Sequence, residues 1–341
     1  MRKYNVAVVG ATGAVGEEIF RVMEEFDFPI NKLLPLASAR SAGSTIVYKN
    51  KEYKVEELKE DQFEKHEIEI AFFCAGGSIS SSYAKFAAEA GAVVIDNTSF
   101  FRMEPNIPLV VPECNPEAIG LWKESGIIAN PNCSTIQMVQ VLKPLDDAFD
   151  IQRVDVSTYQ AVSGAGKAGM DELVNQMKDF FNFKLDESEA KTFAHQIALN
   201  VIPHIDSFTE NDYTKEELKM VNETQKILGK EIEVSATCVR VPVLRSHSES
   251  ITIHFKNDVN IDKALSVLGK AKNISLQDDV SKNIYPMPIW ASDTDLTYVG
   301  RVRKDIYRSN VLHLWCVADQ IRVGAATNAV RIALKWIETE G

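Results

Sequence analysis

The opening stretch KYNVAVVGATGAVGEEIFRVMEEFDF constrains the fold more than any other part of the chain. An apolar run ends at Gly10, small residues follow through Gly13 and Gly16, and an amphipathic pattern begins at once. That order reads as strand, tight turn and helix. The turn GATGAVG is a GxxGxxG variant in which Gly10, Thr12, Gly13, Ala14 and Val15 leave the backbone bare enough for a dinucleotide pyrophosphate to rest at the helix start. Strand and helix patterns continue to alternate through LLPLASAR, EIEIAFFCAGG, SISSSYAKFAAEAGA, VVIDNTS and IIAN. Such an alternation predicts an α/β domain with a Rossmann-type, doubly wound parallel sheet that binds ligands at the carboxyl ends of its strands. The second strand runs into LASARSAG, where an NAD site places an acidic residue. Ser38, Arg40 and Ser41 stand there instead, which favours NADP.

With 341 residues the chain exceeds the size at which one core stops growing, so two domains are expected. After about residue 145 the pattern changes to long alternating strands, RVDVSTYQAVSG, EVSATCVRVPV and ESITIHFK, together with a helix in TKEELKMVNETQKIL. This predicts an α+β second domain with a mainly antiparallel sheet. The final helical run, QIRVGAATNAVRIALKWIE, begins with small residues suited to close packing on the first domain. The expected division is 1–130 with 322–341 for the nucleotide domain and 131–321 for the other.

The five cysteines, Cys74, Cys114, Cys133, Cys238 and Cys316, are scattered and form no CxxC, which argues against a disulfide framework and a cysteine-rich zinc site. The histidines show no HExxH spacing, so no metal is expected. A formal net charge of −11 without a basic tract argues against a nucleic-acid partner. No apolar run is long enough to span a bilayer, and the start shows no signal-peptide pattern, so a cytoplasmic protein is expected. In so acidic a molecule, isolated basic residues in apolar or glycine-rich surroundings mark candidate anion sites.

The stretch IIANPNCSTIQMVQVLKPL places Cys133 after a proline-bearing turn and directly before Ser134 and Thr135, read here as N-cap residues of an amphipathic helix. A helix mouth favours thiolate over thiol, and its free N–H groups suit an oxyanion. A buried structural thiol is the alternative. In TYQAVSGAG a strand bearing Gln160 ends in a second glycine-rich loop, Ser163-Gly164-Ala165-Gly166. In CVRVPVLRSHSES, Arg240 interrupts an apolar strand and needs an anion, and His247 follows within reach of acid–base work near neutral pH.

The segments NVAVVGATGAVGEE, SARSAG, FRM, NPNCST, YQAVSGAG, EELK and RVPVLRSHSE occur in the order found in aspartate-β-semialdehyde dehydrogenases, and the chain resembles that family from end to end. The resemblance implies reversible, NADPH-dependent reductive dephosphorylation of aspartyl β-phosphate to aspartate β-semialdehyde, in the pathway to lysine, methionine and threonine. It implies Cys133 as nucleophile, His247 as acid and base, and Gln160 as the residue orienting the intermediate. It also assigns Arg240 and Glu216 to the substrate carboxylate and amine, and Arg102, Lys219 and Asn132 to phosphate. Ser163, Gly164 and Gln320 would join Gly10, Thr12, Gly13, Ala14, Val15, Ser38, Arg40 and Ser41 at the cofactor. Glu216 and Lys219 are three apart on a helix, hence on one face, a spacing that an ordinary solvated ion pair also produces. The small-molecule partners would be the semialdehyde, the acyl phosphate and inorganic phosphate, and the family is dimeric or a dimer of dimers, so a homodimer is expected. Two alternatives remain at this point: another cysteine-dependent acyl-phosphate reductase, such as N-acetylglutamyl-phosphate reductase, and a non-catalytic NADP-binding protein on the same fold.

Overall fold

The computed structural model describes residues 2–341; Met1, the first residue of the expected nucleotide domain, lies outside them. The chain divides into two units, one running from the N-terminus to Asn132 and completed by Gly324–Gly341, the other spanning Cys133–Val323.

In the first unit, β1 (Tyr4–Val9), β2 (Ile30–Ala37), β5 (Glu56–Glu57), β6 (Ile70–Phe73), β7 (Val93–Asp96) and β8 (Ile127–Ala129) form one sheet in the order β5-β2-β1-β6-β7-β8. Every pairing in it is parallel. All six residues of β1 are buried, as a parallel sheet covered on both faces demands. A small antiparallel hairpin, β3 (Thr45–Tyr48) with β4 (Lys51–Lys54), was not anticipated from the sequence. The helices are α1 (Ala14–Glu25), the short α2 (Gln62–Lys65), α3 (Gly77–Glu89) and, numbered in chain order, the C-terminal α9 (Thr327–Thr339). Ile19, Phe20, Val22 and Met23 of α1 and Ala329, Val330, Ile332 and Trp336 of α9 enter one core with Val6, Val8, Phe72 and Ile95 of the sheet. Strand order reverses beside β1, with β2 on one side and β6 on the other, so the crevice for a ligand lies where β1 and β6 end.

In the second unit, β9 (Ile151–Gln160), β10 (Glu233–Arg240), β11 (His247–Phe255), β12 (Ile274–Leu276), β13 (Thr297–Lys304) and β14 (Val311–Ala318) lie in the order β10-β9-β11-β14-β13-β12. β9 with β10 and β12 with β13 are parallel; the other pairings are antiparallel. Helices α4 (Cys133–Phe149), α6 (Lys215–Leu228) and α7 (Ile261–Lys270) pack with the sheet, and α5 (Gly166–Phe181) and α8 (Pro288–Ala291) complete the unit. Met138, Val141 and Leu142 of α4 meet Val154, Val156, Ile251, Ile253 and Leu314 in the core. Alternate residues of the same strands, such as Tyr159 and Trp315, point to the other face, where their rings pair at 5.3 Å. Helix α6 starts at a capping box: Glu217 N donates to Thr214 Oγ1 (3.2 Å), and Thr214 N donates to Glu217 Oε2 (2.8 Å). It stops at Gly229, whose φ of 61° is the left-handed conformation that glycine adopts freely.

Candidate active site

The register of the second sheet gathers the chemistry. Gln160 closes β9, Arg240 closes β10 directly opposite it, and His247 opens β11 alongside. All three side chains belong to buried residues. Ala161, the first residue past β9, serves two of them at once. Its N–H donates to His247 Nδ1 at 3.0 Å, and its carbonyl accepts from Arg240 Nη1 at 2.7 Å. A backbone N–H can only donate, so Nδ1 holds a lone pair and the neutral ring carries its proton on Nε2. Burial, reinforced by the Arg240 charge, holds the imidazole well below its ordinary pKa.

Gly164 is required here by space. A Cβ at this position would stand 2.7 Å from Arg240 Nη1 and 3.2 and 3.3 Å from His247 Cε1 and Nε2. The loop therefore runs bare against both side chains.

Gln160 is held at both ends: Thr158 Oγ1 donates to Oε1 at 3.0 Å, and Nε2 donates to Glu216 Oε1 at 3.1 Å. Glu216 in turn accepts from Lys219 Nζ at 3.1 Å, and the same ammonium donates to Asp206 Oδ2 at 2.7 Å. Glu216 is buried, so the Glu216–Lys219 pair is not the solvated surface pair that its spacing also allowed. Burial lowers the pKa of Arg240, while the negative charges of Glu216 and Cys133 oppose that shift.

Cys133 is the first residue of α4, partly exposed. Ser134 and Thr135 thus sit inside the first helical turn and are not caps, a difference from the sequence reading that leaves Asn132, buried, as the residue before the helix. The remaining thiols are poor nucleophiles: Cys114 is buried, and burial pushes Cys74, Cys238 and Cys316 up, Cys74 to about 12. Gln320, expected at the cofactor with Ser163, uses both ends of its amide internally. It donates to Ser163 Oγ and accepts from Ser246 N at 2.8 Å, which ties the glycine loop to the segment leading into His247.

In the first unit Gly10 has φ 90°, and a Cβ on it would meet the backbone of Cys74 and Ala75 at 2.9 Å. Only glycine lets the loops after β1 and β6 approach so closely. Gly13 stands at the N-cap of α1 without a side-chain hydrogen bond, so the N–H groups around Ala14 and Val15 have no side-chain cap. Thr12 is exposed beside them. This donor set fits a dinucleotide pyrophosphate. Ser38 begins the turn after β2, its carbonyl accepting from Ser41 N at 2.9 Å. Arg40 is exposed with no hydrogen-bond or ion-pair partner among the described residues, so its guanidinium is available to a ligand.

Arg102 is buried in this unit and spans two strand ends, donating from Nε to Asn130 O (2.9 Å) and from Nη2 to Asn97 O (3.0 Å). Asn130 is fixed further by Asn97 and by Asn328 of α9. These amides hold the turn that leads to Cys133. Sequence reasoning missed Asn328, Thr158, Ala161 and Asp206; the short-range patterns that revealed the glycine turns carry no sign of such long-range partners.

Two family models cover most of the chain. Residues 5–122 match the semialdehyde dehydrogenase NAD binding domain, and residues 142–323 match the semialdehyde dehydrogenase dimerisation domain. The fold and site thus define a semialdehyde dehydrogenase. The aspartate-semialdehyde dehydrogenase of Campylobacter jejuni is 67% identical over 337 residues, 99% of this chain and 98% of that protein. A crystal structure of aspartate semialdehyde dehydrogenase II from Vibrio cholerae, complexed with ASA, matches with a TM-score of 0.96 and 47% identity, covering 100% of both chains. A more distant structure, the Candida albicans enzyme with NADP, matches with a TM-score of 0.75 and 25% identity over 98% of each chain. The chain belongs to the aspartate-semialdehyde dehydrogenase family. Among the described residues no helix is long and apolar enough to cross a membrane.

Proposed function

We propose that this chain catalyses reversible, NADPH-dependent reductive dephosphorylation of L-aspartyl 4-phosphate to L-aspartate 4-semialdehyde through a thioester on Cys133, as a homodimer in the cytoplasm. The observation that carries the reading is the convergence of Arg240 and His247 on Ala161 and Gly164, with Gln160 beside His247, in the same unit as the partly exposed thiol that opens α4.

In this reading the Cys133 thiolate attacks the acyl carbon, the bond to the phosphate oxygen breaks, and phosphate leaves with the electron pair. The helix start favours the thiolate and offers N–H groups to the oxyanion. The Gln160 amide, fixed by Thr158 and Glu216, orients the acyl group. Arg240 offers a planar donor fork to the substrate carboxylate, and Glu216 an acceptor to its ammonium. An acylated amine gains nothing from Glu216, which disfavours N-acetylglutamyl phosphate as substrate. Lys219 takes phosphate. Bound NADPH supplies the hydride that reduces the thioester carbonyl. His247 keeps its proton at Nε2 and hydrogen-bonds the sulfur as the tetrahedral adduct collapses to aldehyde and thiolate.

For the cofactor, the unpaired Arg40 and the absence of a carboxylate at the end of β2 favour the 2′-phosphate of NADP. For the dimer, the sheet face on which Tyr159 and Trp315 pair, among polar neighbours such as Asp155, Thr252 and His313, offers a mixed aromatic and polar surface to a second copy. The test is NADP reduction by purified protein, dependent on both phosphate and semialdehyde. Cys133→Ser is expected to fold and bind NADP yet lose most turnover; near-full activity in that variant would sink the thioester.

A further inference from the structure

The Lys219 ammonium is already occupied. Besides Glu216, which also holds Gln160, it donates to Asp206 at 2.7 Å, the shorter of its two contacts. Two carboxylates against one ammonium leave the cluster with a net single negative charge. Asp206 lies on a loop that the sheet holds in place: Ile202 exchanges both backbone hydrogen bonds with Arg240, at 2.9 and 2.8 Å, and Lys215 N donates to Ser207 O at 2.9 Å. Its own backbone has φ 68°, the left-handed region that a non-glycine residue adopts with some strain, and its Oδ1 accepts from Ser207 N at 2.8 Å. The carboxylate is therefore held in place before any ligand arrives. It is also 35% exposed, so it can turn to water when another anion takes the ammonium.

We propose that Asp206 is the resting counter-ion of Lys219, a carboxylate that phosphate displaces on reaching the site and that sets how much phosphate the enzyme requires. The inference rests on the reading of Lys219 as a phosphate group. The three-member cluster is electrically stable without ligand: burial pulls Lys219 down, but the Glu216 and Asp206 charges outweigh it and leave the ammonium raised. For Asp206 burial pushes up, and the Lys219 contact and the Ser207 N–H outweigh it in turn. A phosphate dianion approaching this cluster meets a like charge at contact distance. Electrostatics at such range in a partly wet site is a matter of a few-fold to about ten-fold in affinity. Asp206 acts through Lys219 and is a positioning residue.

The test varies inorganic phosphate in the oxidative direction with Asp206→Asn, Lys219→Ala and the double variant. Asparagine keeps the acceptor oxygen and tolerates φ 68°, so the loop is retained while the charge is removed. Asp206→Gly, which also accepts that φ, carries the same expectation if the first variant folds poorly. Asp206→Asn is expected to lower the apparent KM for phosphate about three- to ten-fold without lowering the KM for the semialdehyde. A merely structural role would raise both constants or lower kcat. In the Lys219→Ala background the gain should vanish. If Lys219→Ala raises the phosphate KM but Asp206→Asn leaves it unchanged or higher, the counter-ion role is wrong and the phosphate reading stands. If Lys219→Ala leaves the phosphate KM unchanged, both are overturned.

Discussion

The backbone N–H of Ala161 donates to Nδ1 of His247 at 3.0 Å, and this one bond fixes which ring nitrogen bears the proton. An imidazolium would bring a second N–H against that donor, in a site already buried beside the Arg240 guanidinium. His247 should therefore stay neutral, protonated at Nε2, well below its ordinary value near pH 6.5. Nitrogen chemical shifts of labelled histidine in the folded enzyme test this, with the Nε2-protonated neutral tautomer expected to persist as pH is lowered below the ordinary 6.5. A lowered folded pKa stabilises the fold above the unfolded value and withdraws that contribution as pH falls through about 6.5. His247→Gln should accordingly lose less stability than the parent between about pH 7 and 5.5, read as urea midpoints. A protonated ring at neutral pH would contradict the geometry.

Gly164 separates two roles that a glycine can have. Its φ lies outside the left-handed range, so an alanine is tolerated by the backbone, yet the added Cβ would stand 2.7 Å from Arg240 Nη1 and 3.2 Å from His247 Cε1. Both side chains must shift. The Arg240 guanidinium must move aside and the His247 ring give by a few tenths of an ångström, so Gly164→Ala should fold with little change in melting temperature and lose about ten-fold or more in kcat/KM. Near-normal turnover would mean that the loop has slack there.

Much of this was legible in sequence because it is local. The glycine turn after β1 and the position of Cys133 after Pro131 are set by neighbours a few residues away. The helix start itself was misjudged, because Ser134 and Thr135 cap well in general and only the structure puts Cys133 inside the first turn. Strands β13 and β14 went unread, although His247 pairs with Ala318. What sequence could not carry is register. Gln160 opposite Arg240, 80 positions on, and Ala161 against His247 follow from which strands pair, not from any spacing in the chain. Gln320 shows a tie of the same kind, its amide joining Ser163 to Ser246 across the chain.

Glu249, one residue pair below His247 on β11, is wholly buried between α4 and the sheet. Burial pushes its carboxyl well above the usual range, opposed only by the Gln137 amide. An acid with a raised folded pKa contributes its full stability below the unfolded pKa near 4.5 and loses it as pH rises. Glu249→Gln removes that loss. The variant should gain stability over the parent progressively from about pH 5 upward, by at most about 1.4 kcal/mol per pH unit, measured by chemical denaturation at several pH values. A difference independent of pH would show that Glu249 is ionised in the fold.

The cofactor preference is decided, in this reading, by Arg40. Its guanidinium follows β2, is exposed, and has no partner among the described residues to compete with a ligand. Ser38 and Ser41, joined through the turn in which Ser41 N donates to Ser38 O, add hydroxyls beside it. A carboxylate at this point would accept from the ribose hydroxyls of NAD and repel a 2′-phosphate; a donor fork does the reverse. A charge-assisted contact is worth about 1.5–3 kcal/mol, or roughly ten- to a hundred-fold in affinity. Arg40→Asp should therefore lower kcat/KM with NADP by at least about ten-fold and leave that with NAD equal or higher, while alkylation of Cys133 proceeds at the parental rate. The ratio of the two efficiencies, before and after substitution, is the measurement. An unchanged ratio would remove the loop after β2 from the recognition of phosphate.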